Sequence, residues 1–388
     1  VMLTLSGSAL ETGLTAPALF RLTTVPDLPA PLRAQRAFLM RGLGDVPEGY
    51  PHYLVFDRDP IPANGAAFTR LDEKFAYLSD DDIVHLSPHG HVRTLFRSAS
   101  NHNSILLTEQ CNNYCLMCSQ PPKRKDDRWI VDEVRQLVPM MPRTTKSLGI
   151  TGGEPTLFGD DFLDIIRLCK SWLPTTALHV LSNGRSFADV GFARNYAAVD
   201  HPALTVGIPV YSDDPSRHDY VVQEKGAFDE TIRGILNLKR FGQRVEIRVV
   251  VHKQTFERLP ELAEFIARNL VFVDHVALMG LEMMGFTRAN LDALWIDPIE
   301  YRDELSAAVA VLRAYRIPVS VYNHQLCLIN PDVGIAYVKS ISDWKNEYVP
   351  ECDGCARRDE CGGFFSSGVK HGYSPSIKPF PHRHPAVD

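Results

Sequence analysis

From about residue 104 to residue 318 short apolar runs alternate with amphipathic ones six times, and this alternation limits the fold more than any other feature. Strands are expected to start near Ser104, Ser147, Ala177, Leu204, Arg244 and Val273. Helical patterns follow near Val131 to Met140, Asp160 to Trp172, Phe187 to Ala198, Phe228 to Phe241, Leu259 to Leu270 and Pro298 to Tyr315. A strand followed by a crossover helix leads into a parallel neighbour, so the expected class is α/β. Functional groups in such folds gather at the C-terminal ends of the strands. One strand shows its two faces plainly. In the run from Val245 to His252, period two puts Glu246, Arg248, Val250 and His252 on one side, and valines with Ile247 on the other. Helices should cover the apolar side, leaving the polar side, Arg248 included, for ligands.

The remainder of the chain reads differently. Residues 1–100 are β-rich, with apolar runs at Ala18 to Leu22, Tyr53 to Phe56 and Val92 to Phe96 between Pro, Asp and Gly clusters. Ile83 to Phe96, with Ser87-Pro88-His89-Gly90 at its middle, reads as a hairpin. His89 and His91 are read as turn and surface residues, since no Cys or acid is spaced to join them. A division into 1–100, 101–318 and 319–388 suits a chain of 388 residues. The formal charge is −6 and no basic run tracks a phosphate backbone, so nucleic acid is not an expected partner. No apolar stretch is long enough to span a bilayer, and no signal peptide is visible. The expected location is the cytoplasm, where cysteines serve as metal ligands more often than as disulfides.

Cys111, Cys115 and Cys118 form a C-x3-C-x2-C run directly after the first expected strand. Four thiolates would close a zinc site or saturate a four-iron cluster. Three leave one iron of a [4Fe–4S] cluster open to a small chelating molecule. Half of a zinc knuckle is the competing reading, but no His or Cys follows closely enough to complete it. The run resembles the signature of radical S-adenosylmethionine (SAM) enzymes, in which the open iron binds SAM. An electron then cleaves SAM to a 5′-deoxyadenosyl radical that abstracts hydrogen from substrate.

Gly152-Gly153-Glu154-Pro155 follows the second strand and resembles the GGEP motif of the same superfamily. Glycines allow close approach of a strand end to a ligand, and Glu154 would add a charge-assisted partner. Ser182 and Asn183 end the third strand, where the superfamily turns Ser or Asn toward the cofactor. Met117 stands where an aromatic residue usually precedes the third cysteine, and can pack on adenine through its thioether. The stretch from Tyr211-Ser212-Asp213-Asp214 through His218-Asp219 to Lys225-Gly226-Ala227-Phe228 resembles one found in peptide-modifying members. There an arginine after His-Asp meets the SAM carboxylate, but here that position is Val222. Arg248 and Ser212 are therefore the expected carboxylate partners, with a salt bridge from Arg248 to Glu246 as the competing role. The resemblance implies a partial (β/α)6 barrel. Near the strand ends Asp213, His218, Glu282 and Tyr211 are candidate acid–base groups, with a loop or packing residue as the competing reading of each.

Cys352-x2-Cys355-x5-Cys361 resembles the start of the auxiliary-cluster motif of SPASM and twitch domains, with Phe365 at the missing fourth cysteine. Cys327 is the candidate fourth ligand for an auxiliary [4Fe–4S] cluster, with tetrahedral zinc as the alternative. Cys169, inside a helical stretch, reads as a buried apolar residue. Together with Ser342-Asp343-Trp344-Lys345-Asn346 and Cys361-Gly362-Gly363-Phe364-Phe365, the motifs from 104 to 366 resemble the His-Xaa-Ser system radical SAM maturases of the HxsC type. That resemblance implies a bacterial, cytoplasmic enzyme that crosslinks or oxidises a ribosomally made peptide or protein with His-Xaa-Ser repeats. It also implies a second radical SAM maturase as heterodimer partner, an electron donor such as flavodoxin or ferredoxin, and peptide or partner docking on the N-terminal segment. A small-metabolite enzyme and a cluster-bearing binding subunit are the alternatives.

Overall fold

The computed structural model describes residues 5–42, 46–62, 65–339 and 346–382. Eight strands build the N-terminal sheet: β1 (Ser6–Ser8), β2 (Glu11–Thr12), β3 (Ala18–Thr23), β4 (Arg36–Leu39), β5 (His52–Val55), β6 (Phe68–Arg70), β7 (Ile83–Leu86) and β8 (His91–Phe96). Their order is β1-β8-β7-β3-β4-β5-β6-β2. β7 and β8 form the expected hairpin, with Gly90 at φ +77° in its turn. His91 meets Ser6 Oγ at 3.2 Å. The three pairs from β3 to β6 are parallel, which the sequence did not foretell. Those central strands bury both faces: Ala37, Leu39 and Leu54 pack on one side, Phe38, Tyr53 and Val55 on the other.

The second sheet is all parallel and runs across in chain order. Its strands are β9 (Asn103–Leu106), β10 (Ser147–Thr151), β11 (Ala177–Leu181), β12 (Leu204–Pro209), β13 (Arg244–Val251), β14 (His275–Gly280) and β15 (Val319–Tyr322). β15 is a seventh strand beyond the expected six. It pairs with β14 from Val276 to Met279, so the sheet passes the expected boundary at 318. Four residues, two of them polar or aromatic, carry too little alternation to be read as a strand before its partner is known.

Helices Trp129–Met140, Asp160–Trp172, Val190–Ala198, Ala227–Arg240, Leu259–Asn269 and Arg302–Ala314 connect successive strands. Their apolar stripes and the inward valines of the strands make one core. Val245, Ile247, Val249 and Val251 are buried on that side, and Cys169 is buried there too. Gly234 brings the 227–240 helix onto the end of β11: a Cβ there would stand 2.1 Å from the Gly184 carbonyl oxygen. The N-terminal sheet joins this body through Ile83 and Phe96 in the shared core and an Arg93–Glu133 ion pair. Beyond β15 the chain is mostly short turns, with an isolated bridge between Glu347 and Phe364 and one helix, Ser366–His371. Ser342 to Lys345 lie outside the described residues. Among the described residues no helix is long and apolar enough to cross a membrane.

Candidate functional site

The cysteine run is a loop beyond the C-terminal end of β9, and the ends of neighbouring strands hold it by backbone. Gly153 N donates to Thr108 O at 2.8 Å and Glu154 N to Gln110 O at 2.7 Å. A Cβ on Gly152 would meet Thr108 O at 2.4 Å, and one on Gly153 would meet Gln110 O at 2.1 Å. The glycine pair is thus demanded by the cysteine loop itself. Buried Asp127 fixes the loop's start, accepting from Thr108 Oγ1, Glu109 N and Gln110 Nε2. Further along, Tyr114 N and Leu116 N donate to Val222 O and Val221 O. From above, Phe286 N donates to Cys118 O at 2.8 Å, Thr287 Oγ1 to Met117 O and Asn290 Nδ2 to Leu116 O. Gly285, at φ +54°, makes that approach possible, since a Cβ would lie 2.3 Å from Cys118 O. Asp127, Gly285 and Asn290 went unnoticed in the sequence, where nothing marks a residue that bonds a loop far away in the chain.

Cys111, Cys115 and Cys118 line one open cleft of about 1280 Å³, together with Met117, Gly152, Gly153, Ser182, Asn183, Tyr211 and Arg248. Burial pushes the Cys111 thiol up to about 11, with Glu154 and Cys118 adding to the rise. Cys115 is pushed further by burial and by the other two cysteines, and Cys118 upward by burial alone. Such thiols ionise readily only with a cation to share their charge. Three thiols on one cleft, their electrostatics coupled, fit a multi-iron group held from one side. Among the described residues no three His, Cys, Asp or Glu side chains converge closely enough to hold a single metal ion.

Glu154 is placed differently from the sequence expectation. It is fully buried and is not among the cleft's lining residues. Its carboxylate accepts from Ser182 Oγ (2.8 Å), Asn183 N (2.6 Å), Thr156 Oγ1 (2.6 Å) and Thr156 N (3.1 Å). Burial raises its pKa, and those donors oppose the rise. Ser182 and Asn183 do line the cleft, yet their side chains have protein partners, Asn183 Nδ2 donating to Asn112 Oδ1 at 2.7 Å. Arg185, unremarked in the sequence, donates from Nη1 to Asn112 O and Asn113 Oδ1, both at 2.7 Å.

Ser212 also lies off the cleft. It is buried, and its hydroxyl accepts from Asp214 N in the turn leading into helix Pro215–Val222. Val222 is buried in an apolar cluster with Met117, Tyr211, Val221 and Leu294. Of the four acid–base candidates, Asp213 is ion-paired with Arg258 and His218 accepts from Tyr211 N at its Nδ1. Burial lowers His218 to about 4. Neither lines the cleft, whereas Tyr211 and Glu282 do.

Arg248 lines the cleft, and the competing salt bridge is formed: its guanidinium bonds Glu246 at 2.6 Å. Glu246 also meets His275 Nδ1 at 2.8 Å, and His275 Nε2 reaches Ser320 Oγ at 2.9 Å. Burial works to raise the Glu246 carboxyl, but His275, Arg248 and His179 outweigh it and hold it at about 2. Gly207 leaves room for this cluster, since a Cβ would stand 2.9 Å from both Arg248 Cδ and His179 Nε2.

Cys327, Cys352, Cys355 and Cys361 line a second, smaller cavity of about 380 Å³ with Tyr348 and Phe380. Backbone N–H groups already point at two of these sulfurs: Gly363 N to Cys361 at 3.4 Å and Phe380 N to Cys355 at 3.4 Å. A third cavity, of about 750 Å³, lies between the two cysteine sites. It shares Gly280, Leu281, Glu282 and Asn323 with the first, and Gln325, Gly363 and Phe364 with the second.

Residues 105–266 match the sequence model of the Radical SAM superfamily. A probable GTP 3′,8-cyclase of Methanocella arvoryzae is 29% identical over 133 residues, covering 34% of this chain and 41% of that protein. The GTP 3′,8-cyclase of Haemophilus ducreyi is 26% identical over 195 residues, covering 48% and 55%. The chain thus spans about half the length of the curated relatives it matches. Among solved structures, Streptococcus suis SuiB bound to S-adenosylmethionine aligns with a TM-score of 0.45 at 17% identity, over 57% of this chain and 50% of that one. Native anSMEcpe with bound AdoMet aligns at 0.49 and 13%, over 71% and 92%. The matched stretch holds all three cysteines and the Gly-Gly-Glu strand end, and the match supports membership of the Radical SAM superfamily.

Proposed function

We propose that this chain is a radical SAM maturase that modifies side chains of a ribosomally made peptide or protein with His-Xaa-Ser repeats, by crosslinking or oxidation. Cys111, Cys115 and Cys118 would hold a [4Fe–4S] cluster, and the cleft around them SAM. When bound, these supply a 5′-deoxyadenosyl radical that takes a hydrogen atom from substrate. The chain's own residues place and shield that chemistry. Met117 offers its thioether to the adenine, the strand ends at Gly152–Gly153 and Ser182–Asn183 form the wall, and Arg248 takes the SAM carboxylate. Glu154 acts from behind the wall by tying the ends of β10 and β11 together. Cys327, Cys352, Cys355 and Cys361 would hold an auxiliary [4Fe–4S] cluster, with zinc as the other occupant that four thiolates suit.

The observation that carries this reading is the middle cavity, which shares wall residues with the cavity at each cysteine site. A substrate side chain there faces the cleft on one side and an electron acceptor on the other, as a two-electron oxidation needs. The N-terminal sheet is assigned to docking peptide or partner, and a second maturase and a bacterial, cytoplasmic setting complete the proposal.

The test is anaerobic incubation with SAM and dithionite, with either a His-Xaa-Ser repeat peptide or GTP. The expected result is 5′-deoxyadenosine together with a peptide lighter by two hydrogens. The curated relatives are named for a GTP reaction, so consumption of GTP with the peptide untouched would favour a small-molecule enzyme and overturn the reading.

A further inference from the structure

Tyr301 lines the cavity of about 750 Å³ between the two cysteine sites, and it heads helix Arg302–Ala314. His324 stands against it, two residues past the end of β15. Both side chains are buried, and their rings meet edge to face with centroids 5.8 Å apart. His324 Nδ1 lies 2.7 Å from Tyr322 O, and a carbonyl oxygen only accepts, so Nδ1 carries a hydrogen. Burial lowers the imidazole to about 4, so near neutral pH the ring is uncharged and its Nε2 is bare. Tyr301 Oη, 3.0 Å from Nε2, is therefore the donor of that bond. A phenol oxygen that has given its hydrogen away can still accept. Among the described residues Tyr301 Oη has no second partner, which leaves its lone pairs for an occupant of the cavity. Tyr337 fixes the backbone behind the pair, donating from Oη to His324 O at 2.8 Å and accepting from Gly362 N at 2.7 Å.

We infer that Tyr301, backed by His324, takes the proton that a substrate hydroxyl or imidazole loses as it is oxidised in this cavity. The inference rests on the proposed function, under which the peptide leaves lighter by two hydrogens. One hydrogen goes as an atom to the 5′-deoxyadenosyl radical. The other goes as a proton and an electron, while the substrate's oxygen or nitrogen bonds to the carbon radical. The electron passes to the one-electron acceptor that the proposed function places at Cys327, Cys352, Cys355 and Cys361. The substrate O–H or N–H bond breaks, Tyr301 Oη gains that proton, and the proton it held passes to His324 Nε2. An acceptor facing the cavity suits a donor group, and the side chains of His and Ser are both donors. The weak basicity of a buried imidazole suffices, because a group that is losing an electron is a strong acid. Tyr301 is thus the catalytic residue, and His324 acts through it.

The test compares wild type, Tyr301→Phe and His324→Gln, each loaded with iron anaerobically and given SAM, dithionite and a His-Xaa-Ser repeat peptide. The quantity read is oxidised peptide formed per 5′-deoxyadenosine released. Phe keeps the ring without the hydroxyl. Gln can accept the Tyr301 hydrogen bond through its amide oxygen but is no base. Both variants should lower the ratio about tenfold or more. A wild-type ratio in either variant would overturn the assignment. A second readout needs no turnover: 15N NMR of the histidine-labelled wild type should show His324, identified by its missing signal in His324→Gln, as a neutral ring protonated at Nδ1. Protonation at Nε2 would overturn the assignment whether or not the variants fold. Peptide oxidised equally by all three proteins strikes the Tyr301–His324 pair alone, whereas GTP consumed with the peptide untouched strikes the proposed function as well.

Discussion

Glu154 brings a carboxylate to a place without solvent contact, and four donors absorb its charge. Replacing it by Gln keeps the shape but turns an N–H group toward donors. One of these, Asn183 N, has no freedom to rotate away. Glu154→Gln should cost about 1–3 kcal/mol of stability, seen as a lower thermal midpoint of the iron-loaded protein. An unchanged midpoint would mean that the carboxylate does not tie the two strand ends together. Glu246 poses a pH question. Its carboxyl is held at about 2 against an ordinary 4.5, because His275, Arg248 and His179 outweigh burial. A folded pKa below the unfolded one gives stability that is complete above pH 4.5 and lost as pH falls from there toward 2. The advantage of wild type over Glu246→Gln in urea unfolding should be on the order of 3 kcal/mol near neutral pH. It should hold steady from pH 7 to 5 and shrink below 4.5. An advantage that grows on acidification would refute the sign.

The strands and helices of the parallel sheet were legible because each announces itself locally. Period two set the faces of β13, and apolar stripes marked helices Asp160–Trp172 and Ala227–Arg240 nearly to the residue. The three cysteines and the glycine pair were legible as motifs. What held them was not: Asp127, Gly285, Thr287 and Asn290 act on backbone atoms of another segment, and no local pattern encodes a partner so far along the chain. For the same reason Glu154 and Ser212 read as ligands although their polar atoms serve the protein. The meeting of elements at Gly153 yields a direct prediction. In Gly153→Ala the new methyl would fall 2.1 Å from Gln110 O, a backbone atom that can move only by shifting the cysteine loop. Iron per chain should drop by more than half while far-UV circular dichroism stays near wild type, since the sheet lies outside the clash. Full iron retention would show that the loop tolerates the shift.

At the scale of the whole molecule, two cysteine sites belong to different parts of the chain and line two separate cavities. One lies beyond β9 and the other beyond β15, the two edges of the parallel sheet. A third cavity shares Gly280, Leu281, Glu282 and Asn323 with the cleft at the first site, and Gln325, Gly363 and Phe364 with the cavity at the second. Metal content tests whether both sites are loaded. Two four-iron clusters give roughly eight irons per chain, and roughly four irons with one zinc would leave the second site structural. We expect the former. Cys327→Ser should then lower iron toward roughly four, keep dithionite-driven SAM cleavage, and abolish peptide modification. The first site would still make the radical, while the second could no longer accept the electron released as the new bond forms. If Cys327→Ser leaves iron unchanged, Cys327 is not the fourth ligand and an open position at the second site, able to meet substrate directly, takes its place.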